Sequence, residues 1–337
     1  MMPKHPGAEP PLAARVHAAL ARSGFHSGTD LARELRVSRS AVWKAIESLR
    51  TLGVVVHAVR NRGYKLAFAS VPLNPARIRA ALAEDVRARV RHLETHWSLP
   101  STNAALLERA DLPIGFTDVL AAEYQTAGRG RRGRAWLAPP GGSICLSLSW
   151  GFPQVPRDLG GLALAVGVCA RRALQAGITE SIALKWPNDL IVRDRKLGGI
   201  LIEMRAESAG PTYVVIGLGL NLTLGPELAA KIAATGTQAT DLKSLGGDPR
   251  LRNELVAAIV AQIVRGLVEF EHEGLRPFAT EWKSADALKG RAVHVQTAAS
   301  VIRGLARGID AGGALLVETA QGTQRLLSGD VSVRAER

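Results

Sequence analysis

Cysteine is scarce in this chain. Its 337 residues hold two, Cys145 and Cys169, with no thiolate-ligand spacing around them. That excludes a disulfide framework and a cysteine-built metal centre. It fits a reducing compartment in which both thiols are buried as small apolar groups, a catalytic thiol being the alternative. No apolar run approaches the ~20 residues needed to span a bilayer. The first eleven residues, Met1 to Pro11, lack the apolar core of a signal peptide. A soluble, cytoplasmic protein with no membrane partner is expected. Acidic residues are the minority, 30 against 43 Lys and Arg, for a net charge of +13 and a pI near 10.5. The partners should therefore be anionic. Apolar residues at 47% and charged ones at 22% describe ordinary globular structure, and the length suggests two or three domains.

Against this background one stretch stands out. Gly128-Arg129-Gly130-Arg131-Arg132-Gly133-Arg134 places four arginines and three glycines in seven residues, followed by Ala135-Trp136. Glycine permits positive φ and close backbone approach, and arginine supplies a fixed charge shaped for carboxylate and phosphate oxygens. The spacing formally fits the dinucleotide fingerprint. That fingerprint needs a helix opening at the loop, and Pro139-Pro140-Gly141-Gly142 forbids one. Two readings remain: a solvated or nucleic-acid-binding basic loop, or a mobile loop that closes over an anion in an active site.

The N-terminal part reads as a winged helix-turn-helix. Leu12, Val16, Ala19 and Leu20 recur at helical spacing. Thr29 caps a short helix over 30–35, and Ser38 caps a second that runs to Leu52 and stops at Gly53. Val42, Ile46 and Leu49 form the buried stripe of that second helix. Its other face shows Arg39, Ser40, Trp43 and Lys44. Two strands, 54–59 and 63–66, flank a wing at Arg60 to Gly63. Residues 1–70 carry 11 Lys/Arg against 4 Asp/Glu, a net +7, so about half of the excess charge sits in about a fifth of the length. Charge and motif together favour DNA, contacted by Ser38, Arg39, Ser40, Trp43, Lys44 and Arg62, over a helical module for protein contacts.

Further on, strands are expected over 90–97, 119–124, 143–150, 182–186, 190–192, 199–204 and 212–220. Helices are expected over 159–176, 251–273 and 278–288. The elements do not alternate strictly, which argues for α+β rather than a doubly wound sheet. Short strands over 292–296, 301–309, 314–318 and 323–327, with a turn at Gly312-Gly313, suggest a small barrel. The expected domains are 1–68, a linker with a short helix over 69–83, a central domain over 84–288, and a C-terminal domain over 289–337.

Three further stretches complete a pattern: Ser101-Thr102-Asn103 after Trp97-Ser98-Leu99-Pro100, then Lys185-Trp186-Pro187-Asn188-Asp189-Leu190, then Lys196-Leu197-Gly198-Gly199-Ile200-Leu201-Ile202-Glu203. With the arginine loop, in this order and spacing, the chain resembles the biotin–protein ligases over essentially its whole length. Its architecture is similar to the bifunctional bacterial form that is also the biotin operon repressor. The resemblance implies a mixed sheet of the class II aminoacyl-tRNA-synthetase/biotin ligase type and an SH3-like C-terminal barrel. It implies ATP, biotin and Mg²⁺ as substrates and cofactor, and formation of biotinyl-5′-adenylate. The partners it implies are the biotin carboxyl carrier protein of acetyl-CoA carboxylase, operator DNA, and a second copy of the chain when the adenylate is bound. A biotin ligase whose N-terminal domain does not repress, a lipoate-type ligase and a purely regulatory DNA-binding protein are the competing readings.

The resemblance also implies roles for residues. Ser101, Thr102, Asn103 and Gln125 match the pocket for the biotin ring system. Arg129, Gly130 and Arg131 match positions over the biotin carboxylate and the adenylate phosphate, and Lys185 matches the phosphate lysine. Arg129, Arg131 and Lys185 are thereby the catalytic candidates. Gly198 and Gly199 would let the backbone approach biotin. Arg132, Trp136, Asn188, Asp189 and Asn221 are candidates for the nucleotide, with Asp189 a candidate for Mg²⁺. Trp136 and Trp186 read equally well as core, and Asp189 as a turn residue. The segment 234–244, where a cover over adenine would be sought, offers no aromatic residue and no motif.

Overall fold

The computed structural model describes residues 9–109, 113–206, 210–296 and 300–327, and the backbone of 332–335; part of the N-terminal segment read above, residues 1–8, lies outside them. The helical spacing near the N-terminus resolves into α1 (Leu12–Leu20), α2 (Gly28–Leu35) and α3 (Arg39–Thr51). Val16, Leu20, Leu31, Val42, Ile46 and Leu49 close into a small core of their own. Ser38 caps α3 as expected, accepting from the Ala41 N–H at 3.1 Å. The cap of α2 is Ser27 rather than Thr29: its hydroxyl accepts from the Asp30 N–H at 3.0 Å. Starting the helix there puts Asp30 in the first turn, where a carboxylate meets the positive end of the helix. The wing is the antiparallel pair β1 (Val56–Val59) and β2 (Gly63–Leu66), turned by Asn61 and Gly63 at positive φ.

The 69–83 segment is fastened along its length. It contains α4 (Pro75–Ala81), capped by Asn74. The Asn74 N–H donates to Asn253 Oδ1 at 2.8 Å, Asn253 Nδ2 donates to the Pro72 carbonyl, and Ile78 is fully buried. A short α5 (Glu84–Arg87) follows.

The central unit is built on β3 (Val90–Leu99), α6 (Thr102–Leu107), β4 (Thr117–Gln125), β5 (Ser143–Phe152), α7 (Leu162–Gln175), β6 (Ala183–Lys185), β7 (Asp189–Val192), β8 (Arg195–Ala206), β9 (Thr212–Asn221), α8 (Pro226–Ala234), α9 (Arg252–Glu273) and α10 (Arg276–Ala285). Its seven strands run in the order β3-β4-β5-β9-β8-β7-β6, with β3 and β4 parallel and every other pair antiparallel. The α+β expectation is met. Helix α7 begins at Leu162 because Gly160-Gly161 turns as a 3-10 element instead of extending it. Helix α10 begins two residues earlier than expected, with Pro277 in its first turn, a favoured site for proline.

Period two sorts the strands into two faces. On β5, Ile144, Leu146, Leu148, Trp150 and Phe152 join the main core, against which α7, α9 and α10 pack. The alternate positions are Ser143, Cys145, Ser147 and Ser149. On β9, Val214, Ile216, Leu218 and Leu220 face the core, and Val215, Gly217, Gly219 and Asn221 alternate with them. The sheet thus has one apolar face and one face of small residues, with α6 packed on the second.

Five antiparallel strands follow: β10 (Ala292–Gln296), β11 (Val301–Ile309), β12 (Leu315–Thr319), β13 (Gly322–Leu326) and β14 (Ser332–Ala335), in the order β13-β12-β11-β10-β14. A bulge between Ala306 and Gly308 bends β11. Val293, Val295, Ile309, Leu315 and Val317 belong to the same apolar core as the central sheet. The Gly312-Gly313 turn reaches further still: the Trp186 indole donates to the Gly313 carbonyl at 2.9 Å.

The N-terminal unit meets the central one at His17, which is 1% exposed, with its ring 5.6 Å from Trp97 and Nε2 3.4 Å from Ser70 Oγ. Burial lowers the His17 pKa below 6.5, nearby Glu123 acting in the opposite direction. The folded protein therefore resists taking this proton, and the unfolded or undocked chain does not. Stability contributed at neutral pH is lost as the pH falls past 6.5 toward the lowered value. Limited proteolysis between α3 and α4 should accelerate from pH 7.5 to 5.5, and His17→Phe should flatten that dependence. Identical pH profiles for the two proteins would contradict it.

Candidate active site

The small-residue face of the sheet is the floor of a cavity of about 800 Å³. Registers of β5, β9 and β8 place Cys145 beside Gly219, Ser147 beside Gly217, Gly199 beside Gly219 and Leu201 beside Gly217. A Cβ on Gly217 would lie 2.4 Å from Asn103 Oδ1, and one on Gly219 would lie 2.5 Å from the Trp136 ring. The two glycines are therefore slots, one for a polar side chain from α6 and one for the indole that follows the arginine loop. Gly198, expected at biotin, serves another purpose. It does not line the cavity, and a Cβ there would meet the Gly219 carbonyl at 2.8 Å, so its role is close strand pairing.

Ser101, Thr102 and Asn103 lie at the start of α6, with Ser101 as its cap. Gln125 Oε1 accepts from the Thr102 N–H at 2.8 Å and from its hydroxyl at 3.1 Å. Ser147 Oγ lies 2.7 Å from Thr102 Oγ1 and 2.6 Å from Asn103 Oδ1. This buried polar network holds one end of the cavity rigid. It is a site for a compact ligand with both donors and acceptors.

The arginine loop is a closed hairpin. The Gly130 N–H donates to the Arg134 carbonyl at 2.7 Å and the Trp136 N–H to the Gly128 carbonyl at 2.9 Å, with Arg132 and Gly133 at positive φ on the tip. Arg129, Gly130, Arg131, Arg132 and Trp136 all line the cavity, as do Lys185, Asn188, Asp189, Gly199 and Asn221. Nine lining residues are Lys or Arg and two are Asp. Such an imbalance suits a polyanion.

Lys185 ends β6, and the Trp186–Pro187 bond after it is cis. Trp186 itself is 1% exposed and is core. Asn188 is held by β8, donating to the Ile200 carbonyl at 2.5 Å and accepting from the Ile200 N–H at 2.9 Å. Asp189 is ion-paired to Lys196 Nζ at 2.6 Å. Asn221 spans to the 234–244 segment, its amide donating to the Thr240 carbonyl at 3.0 Å.

Several lining residues escaped the sequence reading. Thr235 to Ala239, in the segment without a motif, border the cavity because Lys196 pairs with it through the Gln238 carbonyl and the Thr240 N–H. Arg291 enters from the C-terminal unit and is paired with Asp194 at 2.6 Å. Cys145 borders the cavity too. Burial raises its thiol to about 11 and that of Cys169 to about 12, which removes both as nucleophiles at neutral pH.

On the N-terminal unit, Ser38, Arg39, Ser40, Trp43 and Lys44 are exposed on one side of α3. Arg62 stacks on Phe25, its guanidinium 4.3 Å from the ring centroid, which presents the wing beside that helix.

Comparison with known proteins agrees with this arrangement. Residues 98–221 match the model for the biotin/lipoate A/B protein ligase family, 15–65 a helix-turn-helix domain, and 289–334 the biotin protein ligase C-terminal domain. The bifunctional ligase/repressor BirA of Escherichia coli is 35% identical over 322 residues, spanning 95% of this chain and 97% of that protein. The same-named protein of Bacillus subtilis is 31% identical over 92% of this chain and 94% of its own length. The biotin protein ligase of Aquifex aeolicus, solved with biotin and ATP, superposes with a TM-score of 0.60 at 25% identity, over 73% of this chain and all of that one. This chain belongs to the biotin protein ligase family, in the group that joins an N-terminal helix-turn-helix and a C-terminal β domain to the ligase core.

Proposed function

We propose that the chain is an ATP-dependent biotin–protein ligase and also a DNA-binding repressor. The observation that carries the ligase reading is the convergence of Thr102, Asn103 and Gln125, the arginine hairpin and Lys185 on one cavity. A biotin carboxylate oxygen attacks the α-phosphorus of ATP. The bond to the bridging oxygen breaks and pyrophosphate leaves. The carboxylate needs no general base; the obstacle is repulsion between it and the polyphosphate. Fixed cations in a walled site answer that obstacle. Arg129, Arg131 and Lys185 are assigned to it, with Arg132, Trp136, Asn188 and Asn221 on the nucleotide side. A lysine amine of a carrier protein then attacks the acyl carbon, AMP leaves, and the hairpin keeps water from the mixed anhydride meanwhile.

Asp189 is committed to Lys196, and no group of three metal-ligating side chains occurs among the described residues. The residues do not form a protein-built magnesium site, so Mg²⁺ would arrive on the nucleotide phosphates. The acceptor is the biotin carboxyl carrier protein of acetyl-CoA carboxylase, and the place of action is the cytoplasm. Incubation with ATP, Mg²⁺, a carrier domain and either biotin or lipoate, followed by mass measurement of the carrier, separates the substrates. Modification with lipoate alone would refute the biotin assignment.

For the second activity, α3 would enter a major groove with the wing on the backbone. The adenylate would hold the hairpin in its closed form and favour a dimer whose two helices meet two half-sites. Sedimentation and DNA titration at fixed salt, with and without an adenylate analogue, test this. Unchanged mass and DNA affinity would remove the coupling.

A further inference from the structure

One carboxylate next to the site lies outside the roles assigned above. Glu203 is on β8, and period two places Gly199, Leu201 and Glu203 on the same face, Leu201 opposite Gly217 and Glu203 opposite Val215. Glu203 does not line the cavity. It stands behind the wall and touches two groups that do. Its Oε2 accepts from Asn103 Nδ2 at 2.8 Å, and its Oε1 lies 3.9 Å from the Arg129 guanidinium.

The donor and acceptor count around Asn103 makes this contact consequential. The amide has two N–H groups, one donated to the Leu201 carbonyl at 3.2 Å and the other to Glu203. With both protons engaged, Oδ1 must point the other way, toward Ser147 Oγ at 2.6 Å and into the slot left by Gly217. Ser147 has a single proton and two acceptors in reach, Asn103 Oδ1 and Thr102 Oγ1. Whatever fixes the Asn103 amide therefore fixes the polarity of the row from Asn103 through Ser147 to Thr102. A hydrogen bond to a charged acceptor is the strongest member of such a row.

We infer that Glu203 is a positioning residue for ring recognition. It locks the Asn103 amide, and through it the donor and acceptor pattern offered to the cyclic urea of the substrate. Glu203 acts through Asn103 and does not touch the substrate. This rests on the biotin reading of the cavity.

The test uses the full-length protein and steady-state biotinylation of a carrier domain. Glu203→Leu removes the acceptor and should raise the biotin KM about tenfold while kcat stays within about twofold. It should also narrow the preference for biotin over 2-iminobiotin, whose ring carries a donor where biotin carries its carbonyl. Glu203→Gln keeps an acceptor at the same place and should restore both values to within about twofold of wild type. In an Asn103→Ala background the leucine substitution should have no further effect on KM, which a general loss of packing would not reproduce. Glu203→Ala carries the same expectations and serves where the leucine variant melts early. A wild-type KM in both the leucine and alanine variants overturns the assignment. So does an equal KM rise with and without Asn103, and so does failure of glutamine to rescue. A wild-type protein that turns over lipoate but not biotin would instead overturn the substrate reading beneath it.

Discussion

Lys185→Ala should slow adenylate formation by about 10²–10³-fold and leave biotin affinity within a few-fold of wild type. Lys185 sits at the end of β6, on the cavity wall, followed directly by the Trp186 that anchors to Gly313. Its backbone is thus held from both sides, and the substitution removes a charge without loosening the strand. Negative charge grows on the phosphate oxygens as pyrophosphate departs, so the lysine is needed more in the transition state than in the ground state. Rapid-quench measurement of the adenylate, beside calorimetry with biotin alone, separates the two. Equal losses in both would make Lys185 a ground-state contact to biotin.

The second large effect is structural. Arg252, at the start of α9, is 0% exposed. It donates to Glu123 Oε2 at 2.5 Å, to the Ser143 carbonyl at 2.7 Å and to the Val71 carbonyl at 3.3 Å. Glu123 also accepts from the Leu73 N–H at 2.6 Å. Two side chains thus tie together α9, β4, the start of β5 and the segment before α4. Burial pushes the Glu123 carboxyl up, but Arg252 and the Leu73 N–H outweigh it and hold the group below its ordinary range. Arg252→Met strands that carboxylate in an apolar interior, which should destabilise the protein by about 3–5 kcal/mol. For a chain this size that is a fall in Tm of roughly 4–7 °C by thermal denaturation at pH 7. The sign with pH follows. The wild-type pair contributes stability above pH 4.5 and loses it as the pH falls below that, whereas the variant is relieved when its stranded carboxyl takes a proton. The gap between the two proteins should therefore narrow on acidification. Adding Glu123→Gln to the variant should recover part of the loss. A Tm within 2 °C of wild type would contradict the role given to the pair.

Local signals carried much of this molecule. The cap Ser38, the apolar stripe of α3 and the glycine-arginine loop each depend on neighbours a few residues away, so spacing suffices to find them. Helix α6 was not marked in the sequence, because the side chains of Ser101-Thr102-Asn103 hydrogen-bond nearby backbone in turns and at helix starts alike. The Glu123–Arg252 pair and Glu203–Asn103 join residues 129 and 100 positions apart, and no local pattern marks them. Gly217 and Gly219 alternate on β9 with no local pattern to mark their purpose. Only the side chains of Asn103 and Trp136, arriving from other elements, show why they have no side chain of their own. The border formed by Thr235 to Ala239 was invisible for a related reason, since it is made of backbone pairing to Lys196.

The most direct measurement is exchange of labelled pyrophosphate into ATP by the purified full-length protein, run with biotin, with lipoate and with neither. Exchange requires the acid to attack the α-phosphorus reversibly, and it needs no carrier protein or DNA. Label should enter ATP only when biotin is present and should fall by about 10²–10³-fold in Lys185→Ala. Exchange that proceeds without biotin, or that is absent with it while the protein is folded, would contradict the assignment of this cavity to biotin activation.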